Sequence, residues 1–297
     1  MINLTKLVTE SRNSSTVNLD QMTTEEVLRA MNNEDKTVAE AVEKELSDIA
    51  EAVEYIIEAF NNDARLIYFG AGTSGRVGVV DAVECPPTFG THPDKVVALI
   101  AGGDKAFVRA VEGAEDSLDL AKEELMNIKL TKDDVVVGIA ASGRTPYVIG
   151  GLNYATEVGC KTVAVSCNKN SEVGKIADVA IEVETGSEVL TGSTRLKAGT
   201  SQKMVANMLT TASMIGVGKV YKNLMVDVQQ TNKKLITRAE NIVIEATEVT
   251  REVAKETLQK SNGSVKLAIT MLLLNTTADE AEAKLQSVNG HIRKAII

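Results

Sequence analysis

The chain has 297 residues, 44% of them apolar and 25% charged, the composition of a soluble globular protein able to bury a large core. Its formal net charge of −9, with no Lys/Arg cluster or row of stacking aromatics, excludes a nucleic-acid-binding protein, because phosphate backbones demand a basic face. No stretch reaches the roughly 18 uncharged apolar residues of a membrane span, and the opening "MINLTKLVTESRNSS" has no apolar core of signal-peptide length.

Residues 1–60 read as an N-terminal helical arm. Thr23 with Glu26 makes a capping-box pattern that opens one helix. From Asp35 a longer helix is expected, carrying Val38, Val42, Leu46, Ile49, Val53 and Ile56 as an amphipathic stripe. Residues 61–237 change rhythm. Short apolar, β-rich runs at 65–69, 96–100, 135–139, 162–166 and 179–183 alternate with helix-like segments. This is the pattern of a parallel sheet covered on both faces. Five strands in βαβ succession predict an α/β, flavodoxin-like doubly wound sheet of order 2-1-3-4-5 with flanking helices. From about residue 193 to Val228 the stretch is helix-prone, its Met, Leu and Val positions serving core or subunit interface. Residues 238–297 read as a small helical C-terminal domain without strands, with Ser264 and Thr277 as caps and Gly290 near a helix end.

The first predicted strand runs into "FGAGTSGRVG", in which Gly70, Gly72 and Gly75 spell G-x-G-x-x-G, the spacing of a dinucleotide-binding turn. That reading also requires an acidic residue about 20 positions on, ending the second strand, to hold a ribose. Asp104 lies too far along, and Glu84 precedes that strand. Ligands of an open parallel sheet bind beyond the carboxyl ends of strands where strand order reverses, here between the first and third strands. The loop after the first strand offers Gly72, Thr73 and Ser74; the loop after the third, "AASGRTP", offers Ser142, Gly143 and Thr145. Each feeds a helix N-terminus, so each combines unpaired backbone N–H groups, a dipole end and hydroxyl donors. Two such cradles suit one phosphate monoester. No cofactor and no metal is expected.

Only two histidines, His92 and His291, are present, so a His-rich metal site and a Ser-His-Asp triad are both disfavoured and carboxylates must do any proton transfer. Glu84, in "DAVECPPTFG", is expected to close the helix that Pro86 and Pro87 terminate. Glu115, in "AVEGAEDS", follows Gly113 as an expected C-cap and sits near the start of the next helix. The dipole ends favour Glu84 as proton donor and Glu115 as base. Taken alone, either is equally a solvated glutamate among the chain's 41 acidic residues. Glu188, in a Gly/Ser/Thr-rich connection suited to a lid, is a third candidate. Arg76, Arg144, Arg195 and Lys197 are the cations available to a substrate anion. Three cysteines without C-x-x-C spacing fit a reducing cytoplasm, Cys160 and Cys167 as small buried hydrophobes beside a strand.

"GAGTSGR", "DAVECPPTFG", "AVEGAEDS", "GIAASGRTPYV" and "TGSTRLKAGT" together resemble the N-acetylmuramic acid 6-phosphate etherase family, from about residue 5 to the tail. Its wider relatives are the sugar isomerase (SIS) domains. The resemblance implies cleavage of the lactyl ether of N-acetylmuramic acid 6-phosphate to N-acetylglucosamine 6-phosphate and D-lactate, in the cytoplasm. It implies Glu84 as proton donor and Glu115 as the second catalytic carboxylate. It also implies Ser74, Ser142 and Thr145 around the phosphate, and a homodimer acting on a small phosphosugar without metal. In related isomerases the glutamate matching Glu188 moves the sugar proton, so Glu188 remains a competing base. A phosphosugar aldose–ketose isomerase and a non-catalytic phosphosugar sensor are the alternative readings of the same site.

Overall fold

The computed structural model describes residues 7–228 and 233–297, so the first six residues of the expected arm lie outside the described ones. The described residues form two compact units. One comprises residues up to Val83 together with Asp94–Thr210; the other comprises Glu84–Pro93 and Thr211–Ile297. The expected arm falls within the first unit, and residues 211–237 of the expected sheet domain fall in the second.

In the first unit the arm opens with short 3₁₀ turns and then α1 (Thr24–Asp35), whose expected capping box is present: Thr23 Oγ1 accepts from the Glu26 N–H, and Glu26 accepts from the Thr23 N–H at 2.7 Å. The single long helix expected from Asp35 is two, α2 (Thr37–Glu43) and α3 (Leu46–Asn61). The chain turns at Glu45, whose buried carboxylate meets Lys169 at 2.5 Å. The turn shifts the helical phase, so Leu46 is exposed while Val38, Val42, Ile49, Val53 and Ile56 are buried.

The sheet follows the expected order. Strands β1 (Leu66–Gly70), β2 (Val96–Ile100), β3 (Val135–Ile139), β4 (Lys161–Ser166) and β5 (Val179–Glu182) pair in parallel as β2-β1-β3-β4-β5. Central β1 and β3 are buried at every position, as continuous apolar runs require, whereas edge strands β2 and β5 are only partly covered. The connecting helices are α4 (Gly72–Phe89), α5 (Asp104–Val108), α6 (Leu120–Asn127) and α7 (Pro146–Val158), and α8 (Lys197–Gly216) follows β5. Phe69, Val136, Ala121, Val148 and Leu152 lie in the core between this sheet and its helices.

Helix α4 corrects one expectation. Pro86 and Pro87 lie inside it rather than ending it, so Glu84 does not close the helix and the dipole argument for its role loses its premise. The prolines remove the N–H groups that would reach the carbonyls of Ala82 and Val83, yet the helix runs on to Phe89 and stops before Gly90, at φ +63°, whose N–H bonds the Pro86 carbonyl at 2.9 Å.

In the second unit the helix-prone stretch to Val228 stops at Gly216, followed by Gly218 at φ +77°. Two short antiparallel strands then form, β6 (Val220–Tyr221) and β7 (Leu224–Met225), reversed at Lys222 with φ +55°. The β-branched and aromatic pair Val220-Tyr221 suits a strand better than a helix. Beyond it come α9 (Lys233–Thr247), α10 (Arg251–Lys260), α11 (Val265–Leu274), α12 (Ala278–Ser287) and α13 (Ile292–Ala295). The expected caps are in place: Ser264 Oγ accepts from the Leu267 N–H at 3.2 Å, and Thr277 heads a capping box with Glu280. These helices bury Ile242, Val243, Ala254, Leu258, Ile269 and Ile292 in a core of their own. Among the described residues no helix is long and apolar enough to cross a membrane.

Candidate phosphosugar site at the ends of the central strands

In the first unit, β1 and β3 are neighbours, and Gly70 pairs with Ile139 at their carboxyl ends. Both candidate loops therefore leave the sheet side by side, at the reversal of strand order. The first is shorter than expected: Ala71 alone separates β1 from α4, so Thr73, Ser74 and Arg76 already belong to the helix's first turns. The glycines explain this. A Cβ at Gly75 would sit 2.5 Å from the Gly70 carbonyl oxygen, and one at Gly70 would sit 2.8 Å from that of Ile139. Gly72 meets no such obstacle and instead adopts φ +54°. The motif is thus the packing device that lets a helix start directly against a strand.

Ser74 is buried, and its hydroxyl donates to Gln202 Oε1 on α8 at 3.0 Å. The amide nitrogen of Gln202 is itself buried without a hydrogen-bond partner among the described residues, a donor left to bear its desolvation cost. Thr73 lies against Gly199 of the same helix, whose Cβ would fall 3.2 Å from Thr73 Cγ2. The N-terminal turns of α8 therefore cover the start of α4.

The second loop, Ala140–Thr145, turns at Gly143 with φ +72°, where a Cβ would strike Ser171 at 2.4 Å. Ser142 Oγ accepts from the Arg144 N–H at 3.4 Å. Thr145 is the N-cap of α7 but makes no side-chain capping bond. Asn168, just past β4, donates to the carbonyls of Ala141 and Ser142 and accepts the Val8 N–H at 2.8 Å. The arm so braces the second cradle. Sequence reasoning missed both Asn168 and Gln202. Asn168 was findable as a polar residue at the carboxyl end of a strand, whereas nothing in the run "GTSQKM" marks Gln202.

Glu115 is exposed on a 3₁₀ turn, Ala114–Asp116. Gly113, in the left-handed region at φ +78°, opens this turn instead of closing the preceding helix, which ended at Val108. A cavity of about 190 Å³ is lined by Ala71, Gly72, Arg76, Glu112, Gly113 and Glu115, among others. It joins the first cradle to a carboxylate. Arg76 is held there by backbone carbonyls: Nε donates to Phe107 O at 2.9 Å and one Nη to Ala106 O at 2.6 Å. Glu84 is exposed on the part of α4 that belongs to the second unit.

Glu188 lies elsewhere. It is fully buried, and its two carboxylate oxygens accept the N–H groups of Lys197 and Ala198 at 3.0 Å each, capping α8. Burial pushes its carboxyl up, against those two N–H groups and the Lys197 charge. It lines a second cavity, of about 170 Å³, with Glu34, Arg195 and Lys197. Lys197, itself buried, pairs with Glu34 at 2.5 Å. The thiols of Cys160 and Cys167 are buried and pushed up to about 12 by that burial, so they are packing groups rather than nucleophiles.

Comparison with known proteins gives the chain's family. Residues 48–156 match the family model "Glucokinase regulatory protein N-terminal SIS domain", and residues 114–212 match "SIS domain". A solved phosphoheptose isomerase from Neisseria gonorrhoeae is similar over 64% of this chain and 98% of its own, at 18% identity and a TM-score of 0.49. N-acetylmuramic acid 6-phosphate etherases of Bacillus mycoides (strain KBAB4) and Bacillus cereus (strain AH187) are each 59% identical over 293 residues, 99% of this chain and all of theirs. With both cradles inside the matched length and identity sustained from end to end, the chain belongs to the N-acetylmuramic acid 6-phosphate etherase family.

Proposed function

We propose that this chain is a carbon–oxygen lyase that cleaves the D-lactyl ether of N-acetylmuramic acid 6-phosphate, yielding N-acetylglucosamine 6-phosphate and D-lactate. The observation that carries this is 59% identity to etherases over 99% of the chain.

An ether resists direct hydrolysis, but the open-chain sugar has an aldehyde at C1 that acidifies the C2 proton. A base removes that proton, an acid protonates the departing lactyl oxygen at C3, and an unsaturated aldehyde forms. Water then adds at C3, its hydroxyl going to C3 and a proton returning to C2. In our reading Glu84 is the acid and Glu115 the base, each contributing on the order of 10²–10⁴. Gly72, Thr73, Ser74, Ser142, Gly143 and Thr145 hold the phosphate, whose distance from the reacting carbons fixes their geometry. The adjacency of the two cradles supports the phosphate assignment, and the cavity that Glu115 lines next to the first cradle supports its part in the reaction; Glu84's role rests on the family resemblance. Glu188 acts through α8: it holds the helix whose Gln202 touches Ser74. The working form is a homodimer.

The test is turnover in ¹⁸O water. Elimination and hydration place ¹⁸O at C3 of the sugar and none in D-lactate; label in lactate, or no lactate at all, defeats the mechanism. In the same assay Glu84→Gln blocks lactate release, and Glu115→Gln also slows C2 proton exchange. Near-normal turnover in either variant removes that glutamate from the reaction.

A further inference from the structure

We propose that Arg76 grips the carboxylate of the lactyl substituent and thereby distinguishes the ether substrate from the sugar phosphate it becomes. The inference rests on the function proposed above. That substrate carries two anions, the phosphate and the lactyl carboxylate, and the product sugar keeps only the phosphate. Backbone N–H groups and hydroxyls suffice for the phosphate, but the carboxylate enters a cavity already lined by Glu112 and Glu115. Without a cation there, like charges would repel it.

Four cations were available from sequence, and the structure separates them. Lys197 is committed to Glu34 at 2.5 Å, and Arg144 meets Glu172 at 3.5 Å. Arg195 is exposed on the Glu188 cavity. Arg76 lines the cavity that holds Glu115, where it is the one basic residue among those described, and it makes no ion pair with any described residue. Its two bonds go to neutral carbonyls and use Nε and a single Nη hydrogen. They fix the guanidinium plane and leave its outer edge, one N–H on each Nη, as the fork that receives a carboxylate in bidentate fashion.

The competing account is structural, since the carbonyls of Ala106 and Phe107 belong to the last turn of α5 and Arg76 caps them. Comparing substrate with product resolves the two. For Arg76→Met we expect KM for N-acetylmuramic acid 6-phosphate to rise about 10- to 100-fold, the worth of a charged bidentate pair. Calorimetric affinity of the same sample for N-acetylglucosamine 6-phosphate should stay within about twofold. Arg76→Lys should recover part of the loss, keeping the charge without the fork. Equal loss of affinity for both sugars would show that Arg76 only holds α5, and unchanged values for both would show that it touches neither; each overturns the proposal. Wild-type protein that releases no D-lactate would overturn the proposed function, and Arg76's role with it. Wild-type turnover with a uniform effect in Arg76→Met overturns Arg76's role alone.

Discussion

Asp134 shows how one side chain sets the floor under the site. Its buried carboxylate accepts from Arg65 Nη2 at 2.6 Å, from Arg65 Nε at 3.1 Å, and from the backbone N–H groups of Arg65 and Thr131 at 3.0 and 2.9 Å. Arg65 precedes β1 and Asp134 precedes β3, so the pair locks together the starts of the two strands whose far ends carry the cradles. Burial pushes this carboxyl up, but the Arg65 guanidinium and the backbone donors outweigh it and hold it below the usual range. A carboxyl depressed in the folded state contributes stability above its unfolded value, about 3.9, and loses it as pH falls through the folded one. Asp134→Asn should therefore cost about 2–3 kcal/mol at pH 7, and the gap to wild type should close as pH falls below about 4. Urea unfolding from pH 7 to 3 measures it; a gap that widens on acidification contradicts this account.

At the scale of elements, two helix starts make the site, by different means. Helix α4 starts against β1 because Gly70 and Gly75 have no side chains to keep the two backbones apart. Helix α8 starts where Glu188, nine residues upstream of Lys197, satisfies two of its orphan N–H groups. Glu188→Ala should lower stability by about 2–3 kcal/mol in chemical denaturation, through two unsatisfied buried donors, and Glu188→Gln by less because one acceptor survives. Loss of turnover in Glu188→Gln with stability and KM intact would instead make Glu188 the base. The glycine spacing was legible in the sequence, and the missing acidic residue already told against a dinucleotide turn; the distances add which glycine meets which backbone atom and make the motif a strand–helix contact.

At the scale of the whole molecule, the proposed homodimer needs a surface. In the first unit Val80, Val83, Phe107 and Val108 are 48%, 59%, 41% and 80% exposed, and Val79, Leu99 and Phe107 line a groove beside edge strand β2. Burying such apolar surface is the usual reason two copies associate. Sedimentation equilibrium should give twice the 31.7 kDa chain mass, and Phe107→Asp should shift it toward one; a wild-type monomer at micromolar concentration would refute the dimer. The sequence by itself determined the five strands, their order, the N-caps at Thr23, Ser264 and Thr277, and the hydroxyl residues that follow β1 and β3. Those depend on local pattern: continuous apolar runs, turn residues, and the handedness that orders parallel strands. Only the tertiary structure decided that the long arm helix breaks where Glu45 reaches Lys169, that α4 runs on through Pro86 and Pro87, and that Val220–Met225 is a hairpin. Only it buried Glu188 under α8 and set Arg76, without an ion pair among the described residues, in the cavity that Glu115 also lines. Each of those outcomes turns on a partner distant in sequence or on packing that no local pattern encodes, and such partners are chosen when the chain closes on itself.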